Sequence, residues 1–349
     1  MPTDDENLPP VENPPAIRLP RGAARGERAI EIARSAHADR LGRKARHPGE
    51  IPWHGWRAVL GRTFREIISD RISLVAAGCA FYATLALFPA ISMLIFIYGL
   101  LFDPVTVEPQ LQTLQELLPP EAYSLIASRV HQLVTQKHAL GIGLIVSILI
   151  TFWSATTGTK AVISALNVAY EEKESRTILQ FQLTAFIMTL CAMFGGVLCI
   201  AGLVFLPAVL AFLGLSTYTW LLLRLSSMIV LLAFIVLSLS ALYRFGPCRH
   251  AAKWEWITPG SLLATILWLI ASVLLSYYIG HIASYDLYYG PLGAVVCVMM
   301  WFYVSVYAML LGAELNSELE LQTVRDSTEG PPKPLGRRGA YVADHVAED

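Results

Sequence analysis

Charge is scarce in this sequence: 15% of its 349 residues are Asp, Glu, Lys or Arg, against about 25% in an average soluble domain. Metal-ligand spacing is missing as well. The five cysteines (Cys79, Cys191, Cys199, Cys248 and Cys297) form no C-x-x-C pair, and the eight His are scattered. Four of the five fall inside apolar blocks, where Cys behaves as a small hydrophobe, so neither a disulfide nor a zinc site is expected. There is no H-E-x-x-H, no G-x-x-x-x-G-K-[ST] and no nucleophile elbow. The residues therefore give no reason to expect a metal, a cofactor, an intrinsic ATPase or a catalytic group. No apolar stretch follows Met1, so a cleavable leader is not expected, and the first apolar block would act as the anchor. The net charge of −1 argues against a nucleic-acid partner.

What is present is apolar mass in long blocks. Hydrophobic residues make up 55% of the sequence, and the mean hydropathy is +0.52. The blocks run Leu74–Phe102, Leu140–Lys160, Leu183–Leu213, Trp220–Tyr243, Ile257–Ile279 and Pro291–Ala313. A hydrocarbon layer about 30 Å thick is crossed by about 20 helical residues, so each block is long enough to span. In hydrocarbon every backbone N–H and C=O needs an internal partner, and no barrel-like alternation is visible, so the blocks read as helices. The expectation is an all-α integral membrane protein, a six-transmembrane-helix bundle over residues 72–318. The lipid bilayer is its implied partner.

The flanks divide by charge. Thirteen of the 26 Lys and Arg precede residue 72. Residues 1–52 read as a disordered basic cytoplasmic tail able to meet anionic lipids, and residues 319–349 as a second disordered tail. Residues 53–71 carry Trp53, Trp56, Leu60, Phe64 and Ile67 at helical spacing among Arg57, Arg62 and Arg65. That pattern reads as an amphipathic interfacial helix, or as a helix packed on the bundle. Lys and Arg recur in alternate loops, at Lys173 and Arg176, at Arg244, Arg249 and Lys253, and at Arg325 and Lys333. This bias places both termini in the cytoplasm. The longest loop, 103–139, offers two amphipathic stretches split by Pro119-Pro120.

Few polar groups lie within the blocks. The second block turns polar at Ser154-Ala155-Thr156-Thr157-Gly158-Thr159-Lys160. Those hydroxyls serve helix packing, or together with Lys160 line a polar cavity. Lys160 is read first as snorkelling to the inner interface. Asn167 follows on the same helix. Pro89 and Pro207 are expected to kink their spans. Glu314 stands near a helix C-terminus, where a carboxylate opposes the helix dipole. A compensating partner is therefore expected. Lys160, Arg244 and Arg71 lie by topology at the same depth, toward the cytoplasmic face, so a pairing with one of them is the reading, an exposed interfacial Glu being the alternative. Asn316 lies beside it.

These motifs resemble the YihY/BrkB-like membrane proteins. The resemblance rests on Ala76-Ala77-Gly78-Cys79-Ala80-Phe81-Tyr82 with Phe88-Pro89, and on Trp153-Ser154-Ala155 with Ala165-Leu166-Asn167-Val168-Ala169-Tyr170. It extends through Tyr243-Arg244-Phe245-Gly246-Pro247, Tyr289-Gly290-Pro291-Leu292-Gly293-Ala294 and Leu311-Gly312-Ala313-Glu314-Leu315-Asn316. It covers about residues 56–318, in order. Many relatives have Ser where this chain has Pro291. The resemblance implies a six-span protein of the bacterial cytoplasmic membrane. An older label for the family is ribonuclease, but hydrolysing RNA needs placed acids, bases or metals, and the polar groups here are dispersed. The sequence therefore favours a transporter, exporter or lipid-handling protein without its own energy source. The alternative is a scaffold or envelope assembly factor. No internal repeat relates the two halves.

Overall fold

The computed structural model describes residues 40–101, 140–212, 217–281 and 292–347. Seven helices of more than one turn and a short C-terminal one follow a 3-10 turn at Pro48–Glu50. They are α1 (Trp53–Ser69), α2 (Ile72–Leu101), α3 (Leu140–Ala169), α4 (Ile178–Phe212), α5 (Thr217–Phe245), α6 (Trp254–His281), α7 (Gly293–Leu321) and α8 (Tyr341–Asp344). The two amphipathic stretches of 103–139 and the Tyr289-Gly290-Pro291 motif lie outside the described residues, as do residues 1–39 of the basic tail. Helix α4 runs through position 207, but the side chain of Pro207 is also outside them.

Helices α2 to α7 are each between 28 and 35 residues long. Five carry windows long and apolar enough to cross a membrane, at Ile72–Ala90, Ile178–Gly196, Met228–Phe245, Trp254–Ile279 and Val295–Leu321. Helix α3 is 30 residues long and continuous, its apolar sequence giving way to the polar residues from Ser154 to Lys160. The outer surface of the bundle is apolar: Ile178 is 89% exposed and Val273 69%, with Leu149, Phe194 and Leu274 also turned outward. A soluble monomer rarely exposes contiguous apolar surface beyond a few hundred Å². This is a membrane protein.

Each long helix packs on the next in sequence, and α7 packs back on α2 to close the ring while also touching α3. Lipid gives apolar helices no hydrophobic reason to associate, so small residues that allow close approach do the work. Ala76, Cys79 and Ala80 on α2, Ala165 and Ala169 on α3, and Ala313 on α7 are all buried. The tightest crossing is α6 on α7, where a Cβ on Gly312 would lie 2.7 Å from Tyr243 Oη and 2.8 Å from Ala264 Cβ. Pro89 sits inside α2, so the Leu85 carbonyl loses its usual donor. Pro259 sits inside α6.

At one end of the bundle α3, α5 and α7 finish and α2, α4 and α6 begin. Two turns there use left-handed backbone at non-glycine residues, Arg71 (φ 51°) between α1 and α2 and Glu171 (φ 53°) after α3. Over this end lies a folded segment where the sequence reads as a disordered tail. Helix α7 continues to Leu321, and residues 322–347 pack with Gln322, Thr323, Ser327, Thr328, Val342 and Ala343 buried. Residues 40–51 fold too, with Ala45 and Ile51 buried against Val59, Leu315 and Leu319.

Candidate functional site

Of the polar residues singled out in the sequence, Asn167, Arg244, Glu314 and Asn316 gather at this closed end, and all but Glu314 have partners there. Asn316, fully buried, accepts from the Gly260 N–H at 2.7 Å and donates to the Ile257 carbonyl at 2.9 Å. It latches α7 to the first turns of α6. Asn167 donates to Glu174 at 2.9 Å and accepts from the Cys248 N–H at 2.7 Å, tying the α3–α4 loop to the α5–α6 loop. Glu174 in turn takes two bonds from Arg176, at 2.7 and 2.6 Å. Those bonds, helped by Asn167, hold its carboxyl down at about 2 against the penalty of burial. Arg244 donates to the Ala252 carbonyl and to Glu329, with its guanidinium 4.8 Å from the Trp254 ring centroid.

Two buried ion pairs appear that the sequence reading missed. Arg62 on α1 donates to Glu318 at 2.5 Å and to Gln322 at 2.7 Å. Arg249 donates to Glu320 at 2.7 Å and stacks 4.6 Å from the Tyr170 ring centroid, while Ser327 donates to the other oxygen of Glu320 at 2.6 Å. The signal was available in the run Glu314-Leu315-Asn316-Ser317-Glu318-Leu319-Glu320-Leu321. Its Leu spacing continues the helix and carries three acids into the closed end.

Glu314 is different. It is 2% exposed, and its Oε1 has no hydrogen-bond partner. The expected partners are engaged elsewhere or absent: Arg244 is taken by Glu329, and neither Lys160 nor Arg71 forms an ion pair among the described residues. The charged groups acting most strongly on Glu314 are instead all acids, namely Asp70, Glu318, Glu66 and Glu171. Tyr170 Oη is buried as well, with Asn316 and Glu314 among the groups acting on it. At Asp70, in the turn after α1, burial with help from Glu66 and Glu171 pushes the carboxyl up to about 6.

Lys160 lies apart from this cluster, between two clefts. One, of about 320 Å³ between α3 and α4, includes Trp153, Thr156, Gln182 and Phe186; the other, of about 420 Å³ between α2 and α3, includes Tyr82, Thr157 and Ser164. The Nζ of Lys160 lies 6.0 Å from the ring centroid of Trp153, two turns toward the N-terminus. Helical side chains lean that way. Thr157 donates to its own helix, at the Trp153 carbonyl, 2.9 Å away, while Thr159 and Thr189 bridge α3 and α4 at 2.7 Å.

The family model described as virulence factor BrkB matches residues 63–335. The chain belongs to the BrkB family. Among its relatives, a protein of Bacillus subtilis named "Putative ribonuclease-like protein YfkH" is 30% identical over 255 residues, covering 70% of this chain and 88% of that protein. A UPF0761 membrane protein of Xanthomonas campestris is 36% identical over 105 residues, 30% of this chain and 23% of that protein. Another, from Stenotrophomonas maltophilia, is 31% identical over 90 residues, 26% of this chain and 20% of that protein. The matches to these two UPF0761 proteins span less than a quarter of their length. No solved structure matches the chain. In this BrkB-family chain the matched region takes in α2 to α7 and the charged cluster around Glu314.

Proposed function

We propose that this protein crosses the bacterial cytoplasmic membrane six times through α2 to α7, and that it works as a secondary transport or lipid-handling protein. Both termini lie in the cytoplasm. Lys173, Arg176, Arg249, Lys253 and Arg325 gather at the closed end, as the positive-inside rule requires of the cytoplasmic face. Helix α1 lies in the headgroup layer. Its Trp53, Leu60, Phe64 and Ile68 are exposed and recur on one face, while Val59, Arg62 and Thr63 turn inward.

The observation that carries the transport reading is Glu314. A buried carboxylate with an oxygen unpartnered and no cation paired to it among the described residues is costly in an apolar bundle. It is retained where its charge is neutralised by a bound cation, a proton or a metal ion, and where that neutralisation does work. Transport coupled to a cation uses such a group. The sequence holds no G-x-x-x-x-G-K-[ST] loop, and a gradient is the energy source this reading assigns.

The test is reconstitution in liposomes, with flux of ions, small organic solutes and fluorescent lipids compared between wild type and Glu314→Gln. The expected result is flux of one class that falls at least tenfold in the variant, about 1.4 kcal/mol. Varying pH and sodium separately identifies the cation. No flux of any class from folded wild-type protein would contradict transport and favour the scaffold reading.

A further inference from the structure

We propose that Lys160 binds the anionic headgroup of a phospholipid taken from the surrounding bilayer, with an acyl chain lying along the cleft between α3 and α4. The inference rests on the six-span placement of α3 and not on the role of Glu314. Three observations carry it. Lys160 is a wall of both clefts, and neither is lined by a carboxylate. The first cleft is otherwise mostly apolar, through Leu149, Phe152, Trp153, Leu183 and Phe186, and several of these side chains also face outward. The cleft therefore opens to lipid. Finally, the ammonium turns along α3 toward Trp153, away from the cytoplasmic end.

A cation held against apolar helix surface is costly, and the structure supplies no acid to offset it among the described residues. A lipid phosphate supplies the missing charge, while Thr156 and Gln182 on the same cleft add groups able to hydrogen-bond its oxygens. The chain of the same lipid fills the apolar part. A small soluble anion would satisfy the lysine but leave the apolar wall uncovered, so the lipid fits better.

Trp153 reports the site directly. Tryptophan fluorescence would be measured in nanodiscs containing either brominated phosphatidylglycerol or brominated phosphatidylcholine, with Trp153→Phe used to isolate the Trp153 signal. The expected result is stronger quenching of Trp153 by the anionic lipid, lost in Lys160→Gln and kept in Lys160→Arg. Equal quenching by both lipids, or a preference that survives in Lys160→Gln, overturns the proposal. Loss of the preference on adding inorganic phosphate would assign the site to a soluble anion and overturn it equally. Because this readout needs no transport, its failure leaves the flux experiment on Glu314 standing, and the reverse holds.

Discussion

At the scale of single residues, the closed end is a set of buried charges that differ in how they are compensated. Arg62 and Glu318 compensate each other, with side chains 11% and 4% exposed. Arg62→Ala leaves Glu318 buried alone and should cost about 3–5 kcal/mol, read as a lower melting temperature in detergent. Replacing both partners with apolar residues should recover much of that loss. Asp70 is not compensated. Its carboxyl is pushed up to about 6 from the usual 3.8, so the folded state holds a proton that the unfolded state has released. That linkage destabilises the fold progressively as pH rises from about 4 through 6. Asp70→Asn should therefore be more stable than wild type at pH 7.5, with the gap closing at pH 4. An equal gap at both values would rule the linkage out. None of this pairing was legible beforehand. The sequence placed Glu314, Lys160, Arg244 and Arg71 at one depth, but depth alone does not decide partners, and Arg244 turns out to serve Glu329 in a segment that reads as a tail.

At the scale of elements, the helices were legible because apolar length is a strong signal, while their ends were not. The last span was expected to finish at Ala313, since Glu314, Asn316, Glu318 and Glu320 look polar. Yet Leu315 and Leu319 keep the helical i, i+4 spacing, Leu321 is buried on another side, and Glu318 and Glu320 find Arg62 and Arg249 across the bundle. The joint between α6 and α7 depends on contact rather than composition. Gly312→Val should drive a side chain into Tyr243 and Ala264 and cost at least the 1–3 kcal/mol typical of overpacking. Asn316→Leu leaves the Gly260 N–H without its acceptor, at about 1–3 kcal/mol. Both are checked by thermal unfolding in detergent, and a neutral Gly312→Val would mean that the two helices stand further apart than described.

At the scale of the whole molecule, the bundle is sealed at one end by chain from both termini. Thr323 donates to the Ala45 carbonyl at 2.7 Å, the Lys253 N–H reaches the Ser327 carbonyl at 2.9 Å, and the Tyr341 N–H reaches Glu172 at 2.7 Å. Arg338 gathers the carbonyls of Val324 and Ala343 within the same segment. Composition could not show this, because Pro, Gly and charge in residues 326–339 look alike in a disordered tail and in a tightly hydrogen-bonded cap. Ending the chain after Leu321 removes Ser327 and Glu329 from their partners, and should lower the melting temperature and expose the α5–α6 loop to protease. The role of Glu314 in transport is tested with an apolar carbodiimide that modifies membrane carboxyls. Peptide mapping of treated proteoliposomes would be followed against flux. An adduct is expected on Glu314 in the folded protein, with flux lost in proportion to it. Modification confined to exposed acids such as Glu329, or full flux with Glu314 modified, would contradict it.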